Sequence, residues 1–126
     1  MTQGNYVLIY NKVRQALEKE QMFLNPELSL RSLSKVIGTN TVYLSKAINQ
    51  GYGCSFPVML NNYRMDYIVS LAVNTGDSIE EINTRLGFWS RSTFYELFKS
   101  MKGATPKRYM ESIKGKKECS RRSAES

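Results

Sequence analysis

The sequence predicts an all-α protein of about seven helices, two helix-turn-helix lobes joined by a long connector helix. Three observations carry this. First, residues 29–53 and 78–103 repeat one another: Ser29, Leu30, Leu33, Ile37 and Gly38 stand where Ser78, Ile79, Ile82, Leu86 and Gly87 stand, at a constant offset of 49. After the glycine the offset becomes 50, so that Leu44 matches Phe94, Ala47 Leu97, Ile48 Phe98, Gly53 Gly103 and Phe56 Pro106. That change marks one residue inserted in the turn. Second, apolar residues recur at helical spacing, and no convincing strand is found. Third, each recurring block opens on a capping residue and closes on glycine. Two copies are too few for a solenoid, which needs about three or more.

The elements follow in order. Tyr6, Ile9, Val13, Ala16 and Leu17 place an amphipathic helix over residues 5–22, ending before Asn25 and Pro26. Ser29 caps helix two, whose buried face is Leu30, Leu33 and Ile37, and Gly38 stops it. Helix three runs from about Thr41 to Gln50, capped by Asn40, with Leu44, Ala47 and Ile48 inward. Pro57 suits the first turn of the connector, residues 57–75, whose stripe is Leu60, Tyr63, Tyr67, Ile68, Leu71 and Ala72. At about 1.5 Å per residue that rod is roughly 28 Å long. Asn74, Gly76 and Asp77 form a turn, Ser78 and Glu81 a capping box, and Gly87 ends helix five. Helix six spans Arg91 to Lys102 behind the cap Ser90, Gly103 closes it, and a last short helix begins near Pro106. The domain reading is therefore an N-terminal helix and linker (1–28), a double helix-turn-helix domain (29–112, lobes 29–56 and 78–112), and a charged tail (113–126) without apolar periodicity that is expected to be disordered.

Composition narrows the function. In 126 residues Lys and Arg outnumber Asp and Glu by 18 to 11, a net charge of +7 that favours a polyanionic partner. Part of the excess lies in the tail, with Lys114, Lys116, Lys117, Arg121 and Arg122 against Glu118 and Glu125, so the folded part is only mildly basic. There is no histidine, which removes the commonest general base and the most frequent metal ligand. Cys54 and Cys119 stand in unrelated contexts and cannot by themselves make an ordinary zinc site. With no Gly-rich phosphate loop and no nucleophile beside a base, the sequence argues against an enzyme and implies no metal or cofactor. Neither a signal segment nor a long apolar run is found, so the chain is expected to be soluble and cytoplasmic.

The second helix of a helix-turn-helix lies in the DNA major groove, its first residues at base edges. Its outward positions are Thr41, Val42, Ser45, Lys46 and Asn49 in the first copy and Arg91, Ser92, Tyr95, Glu96 and Lys99 in the second. A guanidinium at 91 can give two bonds to guanine, Val42 can pack on a thymine methyl, and Ser45 or Ser92 can bond base or phosphate. Singly, each is most simply a solvated surface residue; their matched placement carries the inference.

From Leu30 to Tyr109 the chain resembles the DNA-binding domain of the AraC/XylS transcription regulators. The likeness rests on Ser78-Ile-Glu-Glu-Ile82, Leu86-Gly-Phe88, Ser90, Ser92-Thr-Phe94, Phe98-Lys99, Gly103, Thr105-Pro106 and Tyr109. Tyr43-Leu-Ser-Lys46, Gly53-Cys-Ser-Phe56 and Asn62-Tyr-Arg64 extend it into the first half. Phe23-Leu-Asn-Pro-Glu-Leu28 is similar to the subset found in Bacteroidetes-type regulators. The resemblance implies a sequence-specific regulator whose two recognition helices enter successive major grooves of double-stranded DNA. It implies base contacts from Val42, Ser45, Lys46, Arg91, Ser92, Tyr95 and Glu96, and phosphate contacts from Thr41, Ser90, Thr93, Lys99 and Lys102. RNA polymerase and a sensor domain in a longer parent chain are the further partners it suggests. Two lobes in one chain make a monomer or weak homodimer the expected state.

Four positions depart from the family pattern or stay open. Asn83 replaces a small apolar residue and Ile68 a common alanine, both able to alter packing. Glu96 either reads a cytosine amino group or restrains Arg91 or Lys99. Trp89 either fills a gap between helices five and six or lies on the DNA backbone. The alternative from another class is an adaptor or antagonist that contacts another regulator through the same fold. Operator, effector, target genes and the sign of regulation are not written in the sequence.

Overall fold

A computed structural model describes residues 2–113, with side chains from Tyr6 onward. The expected disordered tail, like Cys119, lies outside the described residues apart from position 113. Every regular element among them is helical: α1 (Thr2–Arg14), α2 (Leu30–Ile37), α3 (Thr41–Tyr52), α4 (Phe56–Thr75), α5 (Ile79–Leu86), α6 (Arg91–Lys102) and α7 (106–113). A π-helical turn (Gln15–Lys19) and a 3-10 turn (Met22–Leu24) follow α1. The chain divides into two compact units, Met1–Asp66 and Tyr67–Ser126, and α4 runs across the division.

In the first unit the buried side chains include Val13 and Leu17 from the N-terminal segment, Leu33 and Ile37 from α2, Leu44 and Ile48 from α3, and Phe56, Met59, Leu60 and Met65 from α4. The single helix expected over 5–22 is instead three pieces. The Glu20 amide reaches back five residues to the Gln15 carbonyl (3.2 Å), and Gln21 takes a left-handed conformation (φ 53°) that ends the helix without a glycine. A wide turn of this kind shifts the register of the buried stripe. Ala16 and Leu17 both enter the core, while Glu18 turns outward to Arg14 and Tyr63.

Arg64 fastens the next segment. Buried to 6% exposure, it donates from Nε to the Phe23 carbonyl (2.9 Å) and from Nη2 to the Asn25 carbonyl (2.7 Å). Burial lowers its pKa from the ordinary value, yet a guanidinium stays charged at any physiological pH. Ser29 then caps α2 reciprocally with Ser32, each hydroxyl accepting the other's backbone amide (3.1 and 2.9 Å). In the second unit the core is Ile68 and Ala72 of α4, Ile79 and Ile82 of α5, and Phe94 and Phe98 of α6. Of the box expected from Ser78 and Glu81 only one bond is made, from the Glu81 amide to the Ser78 hydroxyl (3.1 Å). No helix among the described residues is long and apolar enough to cross a membrane.

Candidate DNA-binding surface

Each unit contains a helix-turn-helix, α2–α3 in the first and α5–α6 in the second. Gly38 (φ 87°) and Gly87 (φ 72°) take the left-handed conformation that lets the chain leave a helix at once, where a Cβ is disfavoured. Their amides close the preceding helices onto the carbonyls of Ser34 (2.9 Å) and Asn83 (2.8 Å). Residues 38–40 form the first turn and 87–90 the second, so the inserted residue lies where the change of offset put it.

The extra residue is held by Asn83. This side chain, 1% exposed, donates from Nδ2 to the Trp89 carbonyl (2.9 Å) and accepts the Trp89 amide on Oδ1 (3.3 Å). An amide bonding both backbone groups of one residue imitates a strand partner and fixes the turn. The departure of Asn83 from an apolar residue thus has a structural purpose. Trp89 resolves toward packing: its ring stacks on Phe94 (centroids 5.9 Å apart, 27° between planes) and meets Phe88 edge-on.

Both recognition helices begin with a capped turn. Asn40 Oδ1 accepts the Tyr43 amide (2.8 Å), and Ser90 Oγ accepts the Thr93 amide (3.4 Å) and bonds the Thr93 hydroxyl (2.9 Å). On α3, Val42 is 58% exposed, Lys46 and Asn49 are exposed, and Thr41 and Ser45 are half-buried. Asn49 Nδ2 is occupied by the Ser45 carbonyl (2.8 Å). On α6, Arg91, Ser92, Thr93, Glu96 and Lys99 are exposed and Tyr95 is 38% exposed. Lys99 Nζ lies over the Tyr95 ring (5.7 Å). Lys102, half-buried at the end of α6, lies over Tyr109 (5.7 Å). Arg91 edges a shallow cleft bounded also by Ser78, Glu80, Glu81, Thr84 and Arg85. The restraining pair expected of Glu96 is not formed with either Arg91 or Lys99; the described ion pairs are Arg14–Glu18 (3.2 Å) and Arg85–Asp77 (2.8 Å).

One feature of the first lobe escaped the sequence. Helix α1 packs on the flank of α3, with Tyr6 edge-on to Tyr43 (6.2 Å) and Tyr10 edge-on to Tyr52 (5.1 Å). Below it Tyr63 bonds the Tyr52 hydroxyl (2.8 Å) and donates to Glu18 Oε2 (2.7 Å), while Arg14 pairs with Glu18. Burial, more than any neighbour, raises the pKa of both tyrosines, so Tyr63 keeps the proton it donates. The i, i+4 spacing of Tyr6 and Tyr10 is the available signal, but only Tyr6 belongs to the stripe expected from the sequence.

These are two helix-turn-helix motifs with exposed second-helix faces, the architecture of a DNA-binding domain. The family model described as helix-turn-helix domain matches residues 33–112, and the chain belongs to that family, of the AraC type. A solved structure, the C-terminal domain of AraT, a response regulator from Geobacillus stearothermophilus, is 32% identical, with TM-score 0.71 over 82% of this chain and 84% of that one. An HTH-type transcriptional regulator of Staphylococcus aureus strain MSSA476 is 30% identical over 103 residues, 82% of this chain. Another, of Mycobacterium bovis, is 37% identical over 57 residues, 45% of this chain. The chain spans only 14% and 17% of the lengths of those two relatives. The family is one of transcription-regulator helix-turn-helix domains.

Proposed function

We propose that this chain is the sequence-specific double-stranded DNA-binding domain of a transcription regulator, reading two adjacent major grooves with α3 and α6. The observation that carries it is the matched pair of capped second helices, each following a turn that opens on glycine and each exposing a polar face, in a chain of the AraC-type family. The 20-residue helix α4, about 30 Å long, contains the division between the units. In this reading Val42, Ser45, Lys46, Arg91, Ser92, Tyr95 and Glu96 face bases, and Thr41, Ser90, Thr93, Lys99 and Lys102 meet phosphates.

Selection from a random duplex pool followed by titration at several salt concentrations tests it. A preferred site should emerge, and affinity should fall steeply with salt as counterions are released. Equal affinity for that site and a scrambled duplex at every salt would remove the proposal. Arg91→Ala should relax preference at one base pair, worth about 1–3 kcal/mol if it holds a guanine with two donors. Lys99→Ala should weaken all sequences alike and flatten the salt slope by about one. An unchanged profile for Arg91→Ala would reassign the reading face of α6.

A further inference from the structure

Gly51 lies in the last turn of α3, where its φ is not positive, so backbone freedom does not require a glycine there. A helix interior disfavours glycine relative to alanine. Space explains it. A Cβ at 51 would strike the ring of Tyr10 at Cδ1, Cε1 and Cγ, the last at 2.6 Å. Because Cγ, the near end of the ring, is struck along with one ring edge, turning the ring about its own axis does not relieve the clash. The repeat sharpens the point: position 51 matches Met101 in α6, and Ala47, the neighbouring turn, matches Leu97, both half-buried. Where the second unit carries two large side chains, the first carries two small ones with α1 seated over them. Tyr6, Val7 and Tyr10 line that seam with Ala47, Gln50 and Gly51, leaving Val42, Lys46 and Asn49 exposed.

We infer that α1 is a brace that sets recognition helix α3 for base reading, with Tyr10 and Gly51 as positioning residues that do not themselves touch DNA. The inference rests on the DNA-binding reading above. A recognition helix must hold its side chains to within a fraction of an ångström of productive geometry. Helix α3, with small residues on this flank, takes that constraint from α1 in place of its own side chains.

The test uses the full chain, the duplex that wild type selects, and four variants: Gly51→Ala, Tyr10→Ala, Tyr10→Phe, and Gly51→Ala with Tyr10→Ala. Tyr10→Phe, which keeps the ring, should bind as wild type. Gly51→Ala and Tyr10→Ala should each lose about tenfold in affinity, within the range of coupling between touching residues. The loss of base preference should be confined to the half-site whose profile Val42→Ala alters. The double variant should bind no worse than Tyr10→Ala, because the new methyl then has no ring to strike. Wild-type affinity and profile for Gly51→Ala, or losses that multiply in the double variant, would overturn the inference. Should Gly51→Ala fail to fold by circular dichroism, Tyr10→Ala against Tyr10→Phe decides alone, equal binding by both being the adverse result. A wild type without sequence preference would instead bring down the DNA reading and this inference with it.

Discussion

The two helix-turn-helix units share a pattern of caps, glycines and apolar positions, yet they are braced by different means. In the first, the turn is three residues long and Ser34 serves it with its backbone alone, its carbonyl accepting the amides of Gly38 (2.9 Å) and Thr39 (3.0 Å). In the second, the turn has one residue more, and at the matching position Asn83 adds its side chain, reaching Trp89 at both polar backbone groups. A repeated motif therefore tolerates an insertion when a buried polar side chain grows to meet it. The outer flank differs as well. The first unit is held by α1 and by long-range bonds to Glu18 and Arg64, the second by the ring series Trp89, Phe94, Phe98 and Tyr109.

That contrast breaks most sharply at Arg64. Arg64→Ala removes two charge-assisted bonds and leaves the carbonyls of Phe23 and Asn25 without those donors, a loss of about 3 kcal/mol. Urea unfolding followed by residue-resolved hydrogen exchange should locate the loss in residues 13–65. Arg64→Lys should recover little of it, because a point-like ammonium lacks the planar fork that meets two carbonyls at once. Stability within error of wild type for the alanine variant would show that the 22–25 segment is held by packing alone.

Asn83→Ala makes the corresponding cut in the second unit. It leaves the Trp89 amide and carbonyl without the partner that holds them, at a cost of about 2 kcal/mol. Trp89 is the single tryptophan, so its fluorescence reports the turn directly. Asn83→Asp should be worse, since a carboxylate accepts the amide but cannot donate to the carbonyl and must be desolvated. An aspartate variant as stable as wild type would mean that the clamp is not the element closing the turn.

Much of this fold was legible in sequence because its signals are local. Serine and asparagine caps, glycine stops and the 49-to-50 change of offset each act within one or two turns, and all appear where read. The exposed face of α6 followed from the same periodicity, as did Val42, Lys46 and Asn49 on α3, whereas Thr41 and Ser45 are half-buried. What could not be read depends on partners far along the chain. Tyr63 meets Glu18 across 45 positions and Arg64 meets Phe23 across 41, spacings with no helical meaning. Gln21 ends a helix in a conformation that usually announces itself with glycine, so the first helix seemed longer than it is. Gly51, next to a helix end, carries no sequence signal of its role. Only the Tyr10 ring shows that it is there for space.

The smallest effect concerns how the first unit is tied to its N-terminal segment. Arg14, then the Tyr63 hydroxyl, holds the Glu18 carboxyl below the usual glutamate range. Because the folded pKa lies below the unfolded one, the stabilisation is complete above the unfolded value of about 4.3 and is lost as pH falls through the lowered folded value. Arg14 and Glu18 are 50% and 42% exposed, so solvent screening keeps the gain small. Wild type should therefore exceed Glu18→Gln in urea midpoint at pH 7, and the gap should close on acidification. A gap that stays constant from neutral to acid would show that the glutamine merely packs less well. A gap that closes only when Tyr63 is present, and not in Tyr63→Phe, would assign the effect to the hydroxyl that crosses from α4 to the N-terminal segment and not to the neighbouring arginine.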